Sequence, residues 1–174
     1  PALFTQTRVG HLGREFRMLK FRTMAYGAET EPHREHVVRL IRDGESAEAM
    51  AKLGRDPRII PLGELLRKLC LDELPQLVNV LLGDMTLIGP RPALPYEADA
   101  YARWHSGRFD AVPGMTGLWQ VSGKNRLTFR EMVRLDIRYA REVSPWLDAK
   151  ILVRTVPAVL GQLGDYIQRG RQTS

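Results

Sequence analysis

The sequence has few of the residues from which disulfide, metal or membrane-spanning structures are built. Cys70 is the only cysteine, so no disulfide can form within the chain and a reducing compartment is expected. Its place in an apolar helical pattern favours a small core residue over a nucleophile. The four histidines lack metal-ligand spacing, no apolar run is long enough to span a bilayer, and no signal peptide is recognisable. The single cysteine excludes an intrachain disulfide scaffold, and no role is assigned to the histidines.

The composition is that of a single globular domain with a basic surface. A chain of 174 residues can bury one hydrophobic core, and we predict one domain over residues 1–174. The net charge of +6 favours an anionic partner, for which nucleic acid, phospholipid headgroups and sugar nucleotides all qualify. The basic excess is local, because residues 1–24 are strongly basic whereas residues 25–50 are acidic.

Hydrophobic periodicity and breaker residues predict an α/β domain that is mostly helical with a few short strands. Partial alternation of apolar and basic residues at 16–23 predicts a short strand or hairpin. Pro75 predicts a boundary between two helices, since proline restricts the residue before it and suits a first helical turn. Pro157 is expected to kink the last helix. The predicted helices cover residues 32–42, 45–53, 62–71, 75–82, 96–106, 129–142 and 146–160.

Asp72 and Glu73 are adjacent carboxylates at the predicted helix–proline–helix junction. Helix N-termini carry unpaired N–H groups and a partial positive charge, which stabilise carboxylates and phosphates. Either residue could therefore cap the helix that begins at Pro75. In the functional alternative, one carboxylate attacks a phosphorus atom to form an acyl phosphate, and the other holds a divalent cation against substrate phosphates. Spacing alone leaves both alternatives open.

Four basic residues are candidates for a diphosphate site, although each could also be an ordinary solvated charge. Arginine makes planar bidentate contacts with phosphate oxygens, whereas lysine acts as a point charge. Arg91 is the strongest candidate, because Pro90 and Pro92 fix its backbone and reduce the entropy lost on binding a ligand. The four candidates are Lys20, Arg22, Arg67 and Arg91, and the first two would share one strand face.

The last two predicted helices, 129–142 and 146–160, carry further features. Asp136 is centred on an apolar face, which is costly for an unpaired carboxylate, so we predict a structural ion pair with a buried arginine. The apolar stripe of 146–160 either lies on a membrane or packs in the core. Trp119 and Gln120 either bind a base, or Trp119 is a core residue. The other face of 129–142 could meet anionic headgroups through Arg130, Arg134, Arg138 and Arg141.

The motifs, taken in order, resemble those of a known family over nearly the whole chain. They are FRMLKFRTM at 16–24, DPRI at 56–59, LDELPQ at 71–76, GDM at 83–85, GPRP at 89–92, PGMTGLWQV at 113–121 and SPWLD at 144–148, followed by Arg154 and Thr155. In order and spacing this set resembles the bacterial sugar transferases, the monotopic phosphoglycosyl transferases.

The resemblance implies an enzyme that moves a sugar 1-phosphate from a UDP-sugar to polyprenyl (undecaprenyl) phosphate and releases UMP. Such ping-pong enzymes begin exopolysaccharide, O-antigen or glycoconjugate assembly. By this resemblance Asp72 is the nucleophile that becomes bound to the phosphosugar, and Glu73 holds Mg²⁺. Arg91, with Pro90 and Pro92, belongs to the nucleotide and phosphate site. The matching basic motifs contain Lys20, Arg22 and Arg67.

The resemblance also implies a cellular location, and the sequence differs from the family pattern in two ways. It implies a small α/β domain with amphipathic helices on an anionic membrane surface, at the cytoplasmic face of the bacterial inner membrane. Family members carry an upstream re-entrant membrane helix, and this chain opens about where that helix would end, so we expect the catalytic domain without its anchor. Residues 29–53 exceed the family pattern and predict a surface insertion.

Two alternatives to an enzyme remain open from the sequence. One is a basic nucleic-acid-binding module, although no recognised nucleic-acid-binding motif is present and no nucleic-acid partner is expected. The other is a membrane-surface scaffold whose carboxylates only cap a helix. The motifs indicate neither the transferred sugar nor the oligomeric state.

Overall fold

A computed structural model of the chain describes residues 1–25, 27, 31–43, 58–123 and 127–171. Within these ranges the side chains of residues 31–33, 43, 68 and 160–171 are not described. The predicted helix at 45–53 and much of the predicted insertion at 29–53 lie outside the described residues.

The N-terminal strands form an antiparallel hairpin in which β1 (Leu3–Val9) pairs with β2 (Glu15–Phe21). Leu3 lies opposite Phe21, and Val9 lies opposite Glu15. The predicted strand at 16–23 is therefore confirmed as half of a hairpin. The partner strand was not predicted, because β1 carries a run of polar residues in its centre and buries only its last residues, Arg8 and Val9.

A second sheet consists of β3 (Thr86–Ile88) and β4 (Gly114–Thr116), which pair in parallel. Strands of three residues are too short to show the alternation by which strands are recognised in a sequence. The two backbones approach very closely beside this pairing. A Cβ atom on Gly114 would lie 2.0 Å from the backbone nitrogen of Gly89, so only glycine fits there.

The helices confirm most of the predicted pattern, with one clear error. The predicted helix at 96–106 is wrong, because Ala100 ends the first segment and Ala102 has extended backbone geometry before a 3-10 segment begins. The α-helices are α1 (Glu31–Asp43), α2 (Pro61–Lys68), α3 (Gln76–Leu82), α4 (Pro95–Asp99), α5 (Leu118–Val121), α6 (Phe129–Glu142) and α7 (Pro145–Arg171). The 3-10 segments are His11–Gly13, Leu71–Glu73 and Arg103–Asp110.

The second helix differs from its prediction in its end and in its burial. It ends at Lys68, and Cys70 adopts a left-handed conformation with φ of 55°, so Cys70 follows the helix and is only partly buried. Leu62 and Leu65 were expected on an apolar face, but their exposed fractions are 67% and 42%. The apolar pattern that predicted this helix therefore does not mark a buried face.

The main core cluster joins α1, α5 and α6. Val37 and Ile41 of α1 pack with Trp119 of α5 and with Met132 and Val133 of α6. This position settles Trp119 as a core residue. The start of α6 is fixed by a reciprocal cap, in which the Glu131 backbone N–H donates to the Thr128 hydroxyl and the Thr128 N–H donates to the Glu131 carboxylate.

The last helix, α7, continues through Pro157, and several apolar side chains are exposed in the part of it whose side chains the structure describes, residues 145–159. Ile151 is buried, whereas Trp146, Val153 and Val156 have exposed fractions of 71%, 72% and 60%. The expected stripe through Leu152 and Val156 is thus not packed in the core. Among the described residues, no helix combines the length and the apolar character needed to cross a membrane.

A loop at residues 90–93 is held by hydrogen bonds to four consecutive backbone carbonyls. The donors come from β4, the 3-10 segment at 103–110 and β1, so three separate parts of the chain meet at this loop. They are the Gly114 N–H to Pro90 at 2.9 Å, the Arg108 guanidinium to Arg91 at 3.0 Å, the Arg8 guanidinium to Pro92 at 3.1 Å and the Val9 N–H to Ala93 at 2.8 Å. The backbone of Arg91 is therefore fixed from several directions.

Arg108 is itself held by Asp136, which confirms the predicted ion pair with a buried arginine. The guanidinium donates to the Asp136 carboxylate at 2.6 Å and to the Tyr101 hydroxyl at 2.6 Å. Burial raises the pKa of Asp136 to about 6, and the charge and hydrogen bond of Arg108 oppose that rise. The pair connects the core helix α6 to the loop that carries Arg91.

Asn79 of α3 connects that helix to β2. Its side-chain amide donates to the Arg17 carbonyl at 2.8 Å, and its side-chain oxygen accepts the Leu19 N–H at 3.0 Å. The residue is 1% exposed. These two bonds fix the strand just before Lys20.

We expect Asn79→Ala to lower the free energy of unfolding by about 2–3 kcal/mol, because the Leu19 N–H and the Arg17 carbonyl lose their partner. Urea unfolding measures the change. Leu81→Ala is the matched control on the same helix, since Leu81 is 88% exposed, and we expect a change within about 0.5 kcal/mol. Equal effects of the two substitutions would contradict the role of Asn79.

We expect Asp136→Leu to destabilise the protein by about 3–5 kcal/mol, because it leaves the buried Arg108 charge unpaired. The double substitution Arg108→Met and Asp136→Leu is expected to recover most of this loss, since no uncompensated charge remains. Urea unfolding of the two variants checks the comparison. A single variant as stable as the double variant would show that the ion pair is not desolvated.

Candidate functional site

A small pocket lies where β1, β2, the 3-10 turn Leu71–Glu73 and the 90–93 loop meet. Four of the predicted site residues line it, namely Lys20, Glu73, Arg91 and Pro92. They come from three segments that are far apart in the sequence. The structure therefore brings the strand motif, the carboxylate pair and the proline-flanked arginine to one place.

Lys20 and Glu73 form an ion pair on the wall of this pocket. The Lys20 Nζ donates to a Glu73 carboxylate oxygen at 2.8 Å. Burial lowers the pKa of Lys20, and the charge of Glu73 opposes that change. The cation and the carboxylate hold each other in position while both line the pocket.

Asp72 lies beside the pocket, in the 3-10 turn that contains Glu73, and is 8% exposed. Burial raises its pKa, the charge of Lys20 lowers it, and the charge of Glu73 raises it again. The left-handed conformation of Cys70 turns the chain between α2 and this segment. Asp72 is thus a largely buried carboxylate within the electrostatic reach of Lys20.

The capping explanation for the carboxylate pair does not describe the observed turn. The N-cap of α3 is Pro75, and the helix itself begins at Gln76. Asp72 and Glu73 precede this cap within their own 3-10 turn. Neither carboxylate occupies the capping position, so the turn does not need them as helix caps.

Besides Asp72, three of the predicted residues are absent from the pocket lining. Arg22 donates from Nε to the Pro1 carbonyl at 3.0 Å and lies over the Phe4 ring, 5.5 Å from its centroid. Arg67 is exposed, and its charge lowers the pKa of Asp72. Pro90 contributes through its carbonyl, which accepts the Gly114 N–H. Strand alternation had predicted that Arg22 and Lys20 share one face. In the structure Lys20 lines the pocket and Arg22 does not.

Three polar lining residues were not assigned to the site from the sequence, although Gln120 was considered there as a possible base-binding residue. Gln76 is 3% exposed and Arg8 is 5% exposed. Gln120 also lines the pocket, and its side-chain oxygen is buried with no hydrogen-bond partner among the described residues. Both glutamines lie inside the motifs LDELPQ and GLWQV, which is a signal that could have found them. For Arg8 the only signal in the sequence was its positive charge.

The site can contribute few ligands to a metal ion. Among the described residues, no group of three or more His, Cys, Asp or Glu side chains could hold one together. Mg²⁺ is commonly held by one or two carboxylates together with substrate phosphates and water. Glu73, on the pocket wall beside Asp72, fits this type of site, in which the substrate supplies much of the coordination.

The sequence is similar to known sugar transferases along most of its length. It matches the bacterial sugar transferase family over residues 1–162. It is 45% identical over 161 residues to the galactosyl transferase CpsE of Streptococcus agalactiae, covering 92% of this chain and 35% of that protein. It is 41% identical over 170 residues to the undecaprenyl-phosphate galactose phosphotransferase of Salmonella typhimurium, covering 95% of this chain and 35% of that protein.

A third relative matches a similar share of this chain, and its name specifies a different sugar. The UDP-glucose:undecaprenyl-phosphate glucose-1-phosphate transferase of Caulobacter vibrioides is 42% identical over 168 residues, covering 92% of this chain and 57% of that protein. The chain spans about a third of the length of the first two relatives. Because the family match covers nearly the whole chain, the protein belongs to the bacterial sugar transferase family.

Proposed function

We propose that this domain transfers a sugar 1-phosphate from a UDP-sugar to polyprenyl phosphate through a covalent intermediate on Asp72. The observation that carries the proposal is the meeting of Lys20, Glu73 and Arg91 at one pocket beside Asp72. The names of the Salmonella and Caulobacter relatives specify an undecaprenyl-phosphate acceptor, and the Caulobacter name also specifies a UDP-sugar donor. The same chemistry accounts for a carboxylate and several cations at one site.

In the first half-reaction, an Asp72 carboxylate oxygen attacks the phosphorus that carries the sugar. A new oxygen–phosphorus bond forms while the bond from that phosphorus to the oxygen between the two phosphates breaks. The electron pair of the broken bond leaves on UMP. In the second half-reaction, a phosphate oxygen of polyprenyl phosphate attacks the same phosphorus, and the bond to Asp72 breaks, which restores the carboxylate.

The cations of the pocket would stabilise the charge that develops in these steps. Lys20 is a point charge held by Glu73, and Arg91 presents a planar guanidinium from a loop whose carbonyls are all bonded. Charges fixed before the reaction stabilise a phosphoryl transition state without having to reorganise. The raised pKa of Asp72 restricts its ionised form to a narrower pH range than that of an exposed aspartate.

Glu73 is the residue that we propose as the protein ligand of Mg²⁺. Bound there, the ion would neutralise charge on the phosphate oxygens of the donor. In this structure Glu73 pairs with the Lys20 ammonium at 2.8 Å, so Mg²⁺ would share the carboxylate with Lys20 or displace it. We therefore expect the donor, Glu73 and Lys20 to share one cluster of charges.

We also propose that α2 and α7 contact an anionic membrane surface, at the cytoplasmic face of the inner membrane. The two helices pack against each other, and Leu62, Val153 and Val156 are each at least 60% exposed. Exposed apolar side chains on a helix favour the interface between headgroups and acyl chains. A polyprenyl acceptor is itself a membrane lipid, so such a contact would bring the site to its substrate.

Incubation with a UDP-sugar is expected to add the mass of one sugar phosphate to the protein, and Asp72→Asn is expected to abolish this adduct. The amide of asparagine is a far weaker nucleophile than an ionised carboxylate. Intact-protein mass spectrometry with UDP-glucose, UDP-galactose and UDP-N-acetylglucosamine measures the adduct and reports the class of sugar. Removal of Mg²⁺ with EDTA is expected to reduce it.

The matched control for this experiment is Asp99→Asn, which changes an exposed aspartate in the same way. It should form the adduct as the unchanged protein does. An adduct that persists in Asp72→Asn would refute the nucleophile. A folded protein that forms no adduct with any donor, yet binds liposomes, would favour the non-catalytic scaffold instead.

Val153→Ser together with Val156→Ser is expected to weaken liposome binding at least about tenfold, since apolar area is lost without a change of charge. Co-sedimentation with anionic vesicles measures the binding. Replacement of Arg130 and Arg134 by glutamate tests the basic face of α6 in the same assay. Unchanged sedimentation of the serine variant would remove α7 from the membrane contact, and a loss confined to the glutamate variant would assign the contact to α6.

A further inference from the structure

Arg8 is a buried cation that forms no salt bridge with any described carboxylate. The residue is 5% exposed, and in the part of the chain that the structure describes no carboxylate forms a salt bridge with it. Burial lowers its pKa to about 10, and the charge of Arg91 acts in the same direction, whereas the charges of Glu97 and Glu73 only partly oppose the decrease. An arginine buried without an anion beside it is costly, and a second arginine nearby increases that cost.

The hydrogen bonds of Arg8 leave part of its guanidinium unused. Its Nε and Nη2 donate to the Gln6 side-chain oxygen at 3.2 Å and 2.8 Å, and its Nη1 donates to the Pro92 carbonyl at 3.1 Å. Arginine has five N–H donors in a fixed plane, so each terminal nitrogen keeps one further N–H. The Gln6 side chain and the Pro92 carbonyl are both neutral, so these hydrogen bonds hold the guanidinium in place without cancelling its charge.

Arg108 provides a direct comparison within the same fold. It is also buried, and it also donates to a carbonyl of the 90–93 loop. Its charge, however, is cancelled by Asp136 at 2.6 Å. Arg108 does not line the pocket, whereas Arg8 does. A buried arginine can therefore hold this loop while forming a salt bridge, so the lack of a salt bridge at Arg8 calls for a separate explanation.

We propose that Arg8 binds a phosphate group of the nucleotide donor and forms the diphosphate site together with Lys20 and Arg91, which line the same pocket. This inference rests on the proposed function and assigns a further binding residue to it. An anionic phosphate would offset the positive charges of Arg8 and Arg91. Its oxygens would accept hydrogen bonds from the remaining N–H groups of Arg8 in the planar geometry that suits arginine. Gln6 would fix the plane of the guanidinium before the ligand arrives.

The effect of an Arg8 substitution on the affinity for UDP, compared with its effect on the affinity for uridine, distinguishes phosphate binding from mere support of the loop. Arg8→Gln is expected to weaken UDP binding about tenfold or more, because a charged hydrogen bond is lost. Uridine has no phosphate, so its affinity should change less than about twofold. Titration followed by NMR measures both constants on the purified protein, and circular dichroism checks that each variant is folded.

The matched control is the double substitution Arg108→Gln and Asp136→Asn. It removes the other arginine that holds the loop, but the net charge of the protein stays the same. This variant measures how much UDP affinity is lost when the loop that carries Arg91 is loosened. We expect Arg8→Gln to lose more UDP affinity than this variant; a loss no greater than that of the control, a loss equal for UDP and uridine, or no loss would mean that Arg8 only supports the loop and would overturn the proposal.

Arg8→Lys covers the case in which Arg8→Gln does not fold. Lysine keeps the charge but lacks the planar fork, so UDP should bind at least about threefold more weakly while uridine binding is unchanged. Equal binding of UDP by Arg8→Lys and by the unchanged protein would overturn the proposal. Failure of the unchanged protein to bind UDP would instead reject the nucleotide donor, which distinguishes an error in the proposed function from an error about Arg8.

Discussion

The arrangement of the site depends on the hydrogen bonds that hold the loop at residues 90–93. Four consecutive carbonyls accept donors from β1, β4 and the 3-10 segment at 103–110. A loop of this kind would lose substantial backbone entropy on folding, and these bonds, together with the two prolines, offset that loss. Arg91 is thereby presented to the pocket on a fixed backbone, while its own side chain remains exposed.

The same loop connects the hydrophobic core to the pocket residues. Asp136 lies on α6 among the core residues, Arg108 connects it to the loop, and Arg8 reaches the loop from the hairpin. The hairpin also carries Lys20, whose strand is tied to α3 through Asn79. The positions of the pocket cations therefore depend on the packing of the core, because the groups that fix the loop also belong to the core and to the pocket.

Much of the local structure could be predicted because local features determine it. The α6 helix has a strong period and a Thr128–Glu131 cap, and it appears where it was expected. The pairing of Asp136 with an arginine also followed from its place on an apolar face. The single helix expected at 96–106 was wrong, because the backbone turns at Ala100–Ala102 and the Tyr101 ring packs against Phe109 and Phe129. Contacts of this kind are tertiary and leave no period in the sequence.

The sequence by itself determined the family resemblance, most of the helices, and the candidate residues Asp72, Glu73, Lys20 and Arg91, because motifs and periodicity are properties of neighbouring residues. Only the tertiary structure decided which cations share a pocket. It separated Arg22 from Lys20, because Arg22 lies just beyond the end of β2 and turns to Pro1 and Phe4. It also brought in Arg8, because pairing of β1 with β2 and contact with Pro92 place a residue of the first strand beside the loop. Distances between segments far apart in the chain depend on packing, and no local pattern records them.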